Sequence, residues 1–158
     1  MNYFILAGEK SGDLHGANLI QEIKALDKNA VIQAWGGDLM EKAASRKPEK
    51  HYKALAFMGF VEVLQNLPTI LRNFKLCKQQ ITDFQTDVLL LVDYPGFNLR
   101  MAKWAKSKGI KVIYYISPTV WAWKENRIHQ IKRDVDRMYT ILPFEPAFYR
   151  KFEMEVQY

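Results

Sequence analysis

The sequence predicts an α/β protein with a doubly wound, mostly parallel sheet. Helical patterns separate five strand-like runs, which lie at residues 2–7, 31–35, 88–93, 111–116 and 137–142. Residues 88–92 and 112–116 are apolar without polar alternation, as is typical of strands covered on both faces. Regular alternation of strands and helices favours a parallel sheet between two layers of helices.

Length and composition indicate one globular domain in a reducing compartment. A chain of 158 residues normally forms a single domain, and the sequence shows no internal repeat or linker. The single cysteine, Cys77, excludes an internal disulfide, and the first residues lack the basic start of a signal peptide, so we expect the cytoplasm. No stretch approaches the roughly 20 apolar residues of a membrane span, so any membrane contact would be peripheral. The net charge of +6 predicts an anionic partner.

The first strand runs into a polar glycine turn, AGEKSGDLHG, at residues 7–16. The turn precedes a helix predicted at 14–26 and lies at the carboxyl edge of the sheet, where open α/β sheets bind ligands. Its glycines do not have the dinucleotide spacing, and no Gly-Lys-Ser/Thr follows at the phosphate-loop distance. Two alternatives remain. The turn is either a ligand site built from Glu9 and the amides of a helix N-terminus, or an ordinary turn capped by Ser11.

A second carboxylate follows what should be a central strand. Asp93 comes directly after the apolar run 88–92, so we expect it to face the same cleft as Glu9. Burial there would raise the pKa of Asp93 and make it a suitable general base. Alternatively, Asp93 starts the turn that follows, or it caps the helix that begins near Phe97. Asn98 is expected to cap or pack rather than react.

Two apolar segments have basic flanks. Residues 55–64 and 67–74 carry more apolar side chains than one helical stripe needs, which favours either a segment in a membrane interface or a buried helix. Residues 117–123 carry two tryptophans just before a basic helix predicted at 124–133. They suit a ligand with an apolar part and a phosphate, although indoles packed beneath a loop would give the same pattern. The polar stretch 43–53 is predicted to be a loop.

Several other kinds of site are excluded or disfavoured. Asp134 and Asp136 stand at the entry of a predicted strand, opposite the functional edge, so we reject them as a metal site. The three histidines are scattered and lack metal-ligand spacing, so we expect neither a metal nor another cofactor. No Gly-x-Ser-x-Gly elbow supports a hydrolase triad, and no module signature supports nucleic-acid binding.

Six short motifs are spaced along the chain: AGEKSGD at 7–13, GGDLM at 36–40, MGFVEVL at 58–64, DYPGFN at 93–98, SPTVWAW at 117–123 and PFE at 143–145. In this order they closely resemble the lipid-A-disaccharide synthase family. The resemblance spans essentially the whole chain. It implies an inverting glycosyltransferase that joins UDP-2,3-diacylglucosamine to 2,3-diacylglucosamine 1-phosphate and releases UDP. It also implies two Rossmann-like domains of the GT-B type around a cleft, at the cytoplasmic face of the inner membrane.

The resemblance implies that residues 1–158 are a single Rossmann-like domain on the acceptor side of such an enzyme. The family continues into a carboxyl-terminal domain that holds most of the UDP, and this sequence does not include that domain. We therefore expect the chain to fold but not to catalyse the transfer alone. A different sugar-nucleotide enzyme, such as an epimerase, and a non-catalytic lipid-binding module remain alternatives.

Resemblance and strand position together assign roles to individual residues. Asp93 is the expected general base, and Glu9 is its partner or the alternative base. Ser11 and Gly12 would bind a sugar or phosphate oxygen at the helix start. Basic side chains expected to meet the acceptor phosphate are Lys124 and Arg127. Those expected to contact acyl chains or the bilayer surface are Met58, Phe60, Val61, Trp121 and Trp123.

Overall fold

The computed structural model describes residues 1–55, 67–120 and 127–158. Its strands are β1 (Asn2–Ala7), β2 (Val31–Gly36), β3 (Lys50–His51), β4 (Val88–Val92), β5 (Lys111–Tyr115) and β6 (Arg137–Tyr139). They form one sheet in the order β3-β2-β1-β4-β5-β6, and every pairing within it is parallel. This order, with helices on both faces, is that of a doubly wound α/β sheet, which confirms the predicted fold class.

The helices in the described ranges are α1 (Lys10–Leu26), α2 (Asp38–Ala44), α3 (Leu67–Asp83), α4 (Pro95–Ser107), α5 (Arg127–Asp134) and α6 (Glu145–Arg150), with a 3-10 turn at Tyr52–Ala54. The loop predicted at residues 43–53 is wrong in part. Strand β3 lies within it and pairs with β2 at Trp35 and Gly36. A two-residue edge strand is too short to produce a periodic pattern, so it cannot be predicted from hydrophobic periodicity.

Four of the five predicted strands end within one residue of their predicted ends. The fifth, predicted at 137–142, already ends at Tyr139. After Tyr139, the backbone amides of Ile141 and Leu142 donate to a carboxylate oxygen of Glu145, at 3.3 and 3.0 Å. An apolar run can therefore continue past the end of its strand when a buried side chain supplies the acceptors.

Strand β4 separates two hydrophobic cores. Its side chains Leu89 and Leu91 pack with α3, α4 and α5 on one face of the sheet. Val88, Leu90 and Val92 pack with α1 and α2 on the other face. All five side chains are at most 4% exposed. Burial on both faces explains why this strand shows no polar alternation in the sequence.

Helix α1 packs closely on α2 and β2 because Gly16 and Gly36 have no side chain. A Cβ atom on Gly16 would lie 2.6 Å from the sulfur of Met40, and the same sulfur fills the space beside Gly36. On the neighbouring turn of α1, a Cβ atom on Gly12 would lie 3.2 Å from the Cβ of Ala7 in β1. These glycines therefore serve internal packing, and the group that approaches the backbone at Gly16 is Met40.

Helix α3 is amphipathic. Phe74, Cys77 and Ile81 are buried against the sheet, whereas Leu67 and Leu71 are 46% and 59% exposed. Within the described parts of the chain, no helix combines the length and the apolar character needed to cross a membrane.

Asp13 joins α1 to the start of α2. Although it is only 3% exposed, its carboxylate accepts three amide hydrogens, from Gly37 at 2.7 Å, Leu39 at 3.2 Å and Met40 at 3.1 Å. These amides belong to the amino-terminal turn of α2, where backbone donors lack partners within the helix. A negative charge is also favourable beside a helix N-terminus.

Asp13→Ala is expected to lower the free energy of unfolding by about 2–3 kcal/mol, because it removes charge-assisted hydrogen bonds and leaves buried amides unpaired. Urea denaturation monitored by circular dichroism measures this loss. The control is Asp38→Ala in the first turn of the same helix, where the side chain is 81% exposed and the expected loss is below about 1 kcal/mol. Equal losses in the two variants would contradict this role of Asp13.

Candidate functional site

The two carboxylates predicted to share a cleft do lie together. Strands β1 and β4 are neighbours, and Ala7 pairs with Val92 at their carboxyl ends. The residues that follow these two strand ends therefore lie at the same edge of the sheet. Glu9 follows β1 and Asp93 follows β4, and the two side chains are close enough for Glu9 to raise the pKa of Asp93.

Burial and like charge change the acidity of Asp93. Burial raises its pKa most, and the charge of Glu9 and the hydrogen bond to Glu9 raise it further, to about 6. A hydrogen bond from the backbone of Tyr94 acts in the opposite direction. A carboxyl group with a pKa near 6 accepts a proton more strongly than an ordinary aspartate, yet it still ionises at neutral pH.

The first turn of α1 holds Glu9 in place. Glu9 is the N-cap residue, with extended backbone, and its side chain makes no capping hydrogen bond. The Ser11 hydroxyl donates to Glu9 Oε1 at 2.8 Å, so the interpretation of Ser11 as the helix cap is wrong. Ser11 and Glu9 are both exposed to solvent, whereas Gly12 is buried against Ala7.

The backbone is strained at the carboxyl ends of β4 and β5. Asp93 and Tyr94 have φ angles of 45° and 48°, and Ile116 has a φ angle of 69°. Left-handed backbone costs about 1–3 kcal/mol for a residue that carries a Cβ atom, and it is rare for a β-branched residue such as Ile116. Such strain is often found at functional sites, and here it lies beside the carboxylate pair.

Several side chains support the strained turn after β4. The ring of Tyr94 fills the space that a Cβ atom on Gly8 would need, and its hydroxyl donates to the carbonyl of Leu55 at 3.1 Å. Asn98 is 1% exposed, and its amide donates to the carbonyl of Asp93 at 2.7 Å. The Tyr114 hydroxyl donates to the same carbonyl oxygen at 2.6 Å.

The structure can be compared with the roles that the sequence suggested for Asp93 and Asn98. Tyr94, and not Asp93, is the N-cap residue of α4, so the interpretation of Asp93 as a helix cap is wrong. Asn98 packs, as expected. The supporting roles of Tyr94 and Tyr114 were not predicted, because nothing in the sequence shows which buried tyrosine hydroxyl reaches which carbonyl.

Arg127 is the first residue of α5. Its positive charge acts to lower the pKa of Tyr114, although burial and the charge of Asp93 raise that pKa well above its ordinary value. Next to this region, Ser117 is buried and its hydroxyl shares a 2.6 Å hydrogen bond with the hydroxyl of Tyr149. Arg127 is therefore within electrostatic reach of Tyr114, and its contact with an acceptor phosphate stays a prediction.

An apolar cavity opens beside the same edge, between α3 and α4. Its volume is about 300 Å³. The Arg100 guanidinium lies 5.6 Å from the centre of the Phe74 ring. The residues that line the cavity are Leu55, Ile70, Asn73, Phe74, Tyr94, Gly96, Phe97 and Arg100. The sequence indicated an apolar segment with a basic flank here, but it did not indicate a cavity.

Six of the predicted binding residues lie outside the described ranges. They are Met58, Phe60, Val61, Trp121, Trp123 and Lys124. Among residues 1–55, 67–120 and 127–158, no cluster of three histidine, cysteine or acidic side chains is arranged to hold a metal ion. Asp134 pairs with Arg133 at 2.7 Å, and Asp136 pairs with Lys106.

The overall fold is similar to those of two solved sugar-nucleotide enzymes. UDP-GlcNAc 2-epimerase from Neisseria meningitidis, bound to UDP-GlcNAc, superposes with a TM-score of 0.67 at 11% sequence identity, over 99% of this chain and 45% of the epimerase. UDP-N-acetylglucosamine 2-epimerase from Rickettsia bellii superposes with a TM-score of 0.64 at 11% identity, over 98% of this chain and 42% of the other. At this level of identity the similarity shows the fold alone.

Sequence similarity is more specific. Lipid-A-disaccharide synthases from Geobacter metallireducens and Nitrosococcus oceani are 44% and 45% identical to this chain over 154 residues. Lipid-A-disaccharide synthase 1 from Legionella pneumophila is 43% identical over 155 residues. Each match covers 98% of this chain, and the chain spans about 40% of the length of these relatives. The family model for lipid-A-disaccharide synthetase matches residues 3–158. The chain therefore belongs to the lipid-A-disaccharide synthase family.

Proposed function

We propose that this chain is the acceptor-side domain of an inverting glycosyltransferase that joins UDP-2,3-diacylglucosamine to 2,3-diacylglucosamine 1-phosphate and releases UDP. The family of the chain and the substrates that its motifs imply support this proposal. The observation that carries it is the pair formed by Asp93 and Glu9 at the carboxyl edge of the sheet. Because the chain spans about 40% of its relatives, we propose that the donor is held by a further domain.

Asp93 is proposed to act as the general base. In an inverting transfer, a hydroxyl oxygen of the acceptor sugar attacks the anomeric carbon of the donor. The bond from that carbon to UDP breaks, the electron pair leaves with the diphosphate, and the hydroxyl proton passes to the base. With its pKa raised to about 6, Asp93 is partly buried, ionised at neutral pH and more basic than a solvated aspartate.

Glu9 and Ser11 are proposed to assist Asp93. The charge of Glu9 and its hydrogen bond to Asp93 help to raise the pKa of the base, and the Ser11 hydroxyl orients Glu9 at 2.8 Å. The amides of Ser11 and Gly12 belong to the first turn of α1, where backbone donors have no acceptor within the helix. They are suited to a sugar or phosphate oxygen of the substrate.

Arg127 and the surface of α3 are proposed to receive the remaining parts of the acceptor. Arg127, whose charge acts on the hydroxyl of Tyr114, is proposed to meet the acceptor phosphate, and Lys124 is proposed to help it. The exposed leucines of α3 lie beside the exposed Arg72 and Lys75, a combination that suits an anionic membrane surface. We propose peripheral contact with the cytoplasmic face of the inner membrane, with acyl chains near Met58, Phe60, Val61, Trp121 and Trp123.

Asp93→Asn is expected to lower turnover about 100- to 10,000-fold with little change in acceptor KM, because it removes the proton acceptor and preserves the shape of the side chain. A suitable enzyme is this chain fused to the carboxyl-terminal remainder of the Geobacter metallireducens relative. The assay measures acceptor-dependent UDP release. Glu9→Gln is the matched control, and it should lower turnover less than Asp93→Asn does. If Glu9→Gln abolishes turnover and Asp93→Asn does not, the two roles must be exchanged.

Asp93→Asn is also expected to stabilise the folded protein at alkaline pH. The folded-state pKa of Asp93, about 6, is above the value of about 3.9 for an unfolded aspartate, so this group stabilises the fold below pH 4 and loses that contribution as the pH rises through 6. Asp93→Asn stays neutral. Thermal unfolding should therefore give a larger rise in Tm at pH 8 than at pH 4. Equal rises in Tm at both pH values would show that the gain in stability comes from the left-handed backbone and not from the charge of Asp93.

Leu67→Ser combined with Leu71→Ser is expected to weaken binding to anionic vesicles by at least tenfold, because burying a leucine is worth about 1.5–3 kcal/mol and 1.4 kcal/mol is about tenfold. Co-sedimentation with phosphatidylglycerol vesicles measures the binding. The control is Leu26→Ser, which changes a leucine that is 87% exposed at the end of α1, on the other face of the sheet. Binding that does not depend on Leu67 and Leu71 would argue against this surface.

A further inference from the structure

We infer that Tyr114 and Asn98 are positioning residues for Asp93, because they hold the backbone turn that places its carboxylate beside Glu9. The inference rests on the proposed role of Asp93 as the base. Neither residue needs to contact substrate. Both act through one atom, the backbone carbonyl oxygen of Asp93.

That oxygen is held from two sides. Tyr114 Oη in β5 donates to it at 2.6 Å, and Asn98 Nδ2 in α4 donates at 2.7 Å. A carbonyl oxygen has two lone pairs, so the two donors occupy both. Tyr114 and Asn98 are 0% and 1% exposed, which keeps water from competing for the oxygen.

The peptide that is held in this way is a strained one. It joins Asp93 and Tyr94, which are both left-handed although neither is a glycine. Relief of that strain requires the peptide to rotate, and rotation would carry the carbonyl oxygen away from both donors. The two hydrogen bonds thus oppose the movement that would change the direction of the Asp93 side chain.

Asn98 also links the two strands that carry the carboxylates. Its side-chain amide lies 3.4 Å from the carbonyl oxygen of Leu6 near the end of β1 and 3.2 Å from that of Val92 at the end of β4. The relative position of Glu9 and Asp93 therefore depends on the same side chain. Tyr114 keeps its hydroxyl proton throughout the neutral range, since burial and the charge of Asp93 raise its pKa well above the usual value.

The test measures the pKa of Asp93 directly, by NMR titration of its side-chain carboxyl carbon in this 158-residue chain. Tyr114→Phe and Asn98→Ala should lower that pKa from about 6 towards the ordinary aspartate range, because a relaxed turn moves the carboxyl into solvent and away from Glu9. Glu9, whose charge raises the pKa of Asp93, is unchanged in both variants.

Tyr149→Phe is the matched control. It also removes one buried tyrosine hydroxyl with a 2.6 Å hydrogen bond, but that bond is to Ser117. It should cost similar stability and leave the pKa of Asp93 unchanged. If Asn98→Ala does not fold, Tyr114→Phe still decides the question. An Asp93 pKa that stays near 6 in the folded variants, whatever their stability, overturns the inference.

Activity of the fused enzyme gives a second measurement. Tyr114→Phe should lower kcat about 10- to 100-fold with little change in KM, and it should shift the acidic limb of the pH profile to lower pH. An unshifted limb would contradict the inference. Full turnover by Asp93→Asn would instead refute the catalytic role of Asp93, and the titration result would still show whether Tyr114 and Asn98 position that side chain.

Discussion

The parallel pairing of β1 with β4 is the constraint on which the rest of this structure depends. It joins distant parts of the sequence, since the amide of Asn2 donates to Asp87, 85 residues away, at 2.8 Å. Both hydrophobic cores include side chains from these two strands. The pairing also fixes the register in which the strands end, and this places Glu9 beside Asp93. Fold and site therefore have the same origin.

The site opposes the stability of the fold that carries it. Two carboxylates are brought together, Asp93 is partly desolvated, and two consecutive residues adopt left-handed backbone. The cost is offset by the surrounding core, where β4 is buried on both faces, and by the hydrogen bonds from Asn98 and Tyr114. Local strain of this kind persists only where the neighbouring structure determines the conformation strongly.

The sequence predicted those features that depend on pattern and order along the chain. Apolar runs located β1, β2, β4 and β5, and the polar residues after β1 and β4 identified Glu9 and Asp93. Features that depend on which side chain reaches which atom were missed, because a residue type does not specify its partner. Thus Ser11 orients Glu9 instead of capping α1, Tyr114 reaches the carbonyl of Asp93, and the glycines at 8 and 16 make room for Tyr94 and Met40.

The packing of Met40 has a chemical consequence. Its sulfur lies in a hollow between Gly16 and Gly36, so an oxygen atom added to it would have to occupy space that the two backbones already limit. A sulfoxide is also polar, whereas this hollow is apolar. Met40 is only 1% exposed, so an oxidant reaches it only after α2 has moved away from α1. Once oxidised, the side chain no longer fits, and a transient opening of α2 would persist until a reductase restores the thioether.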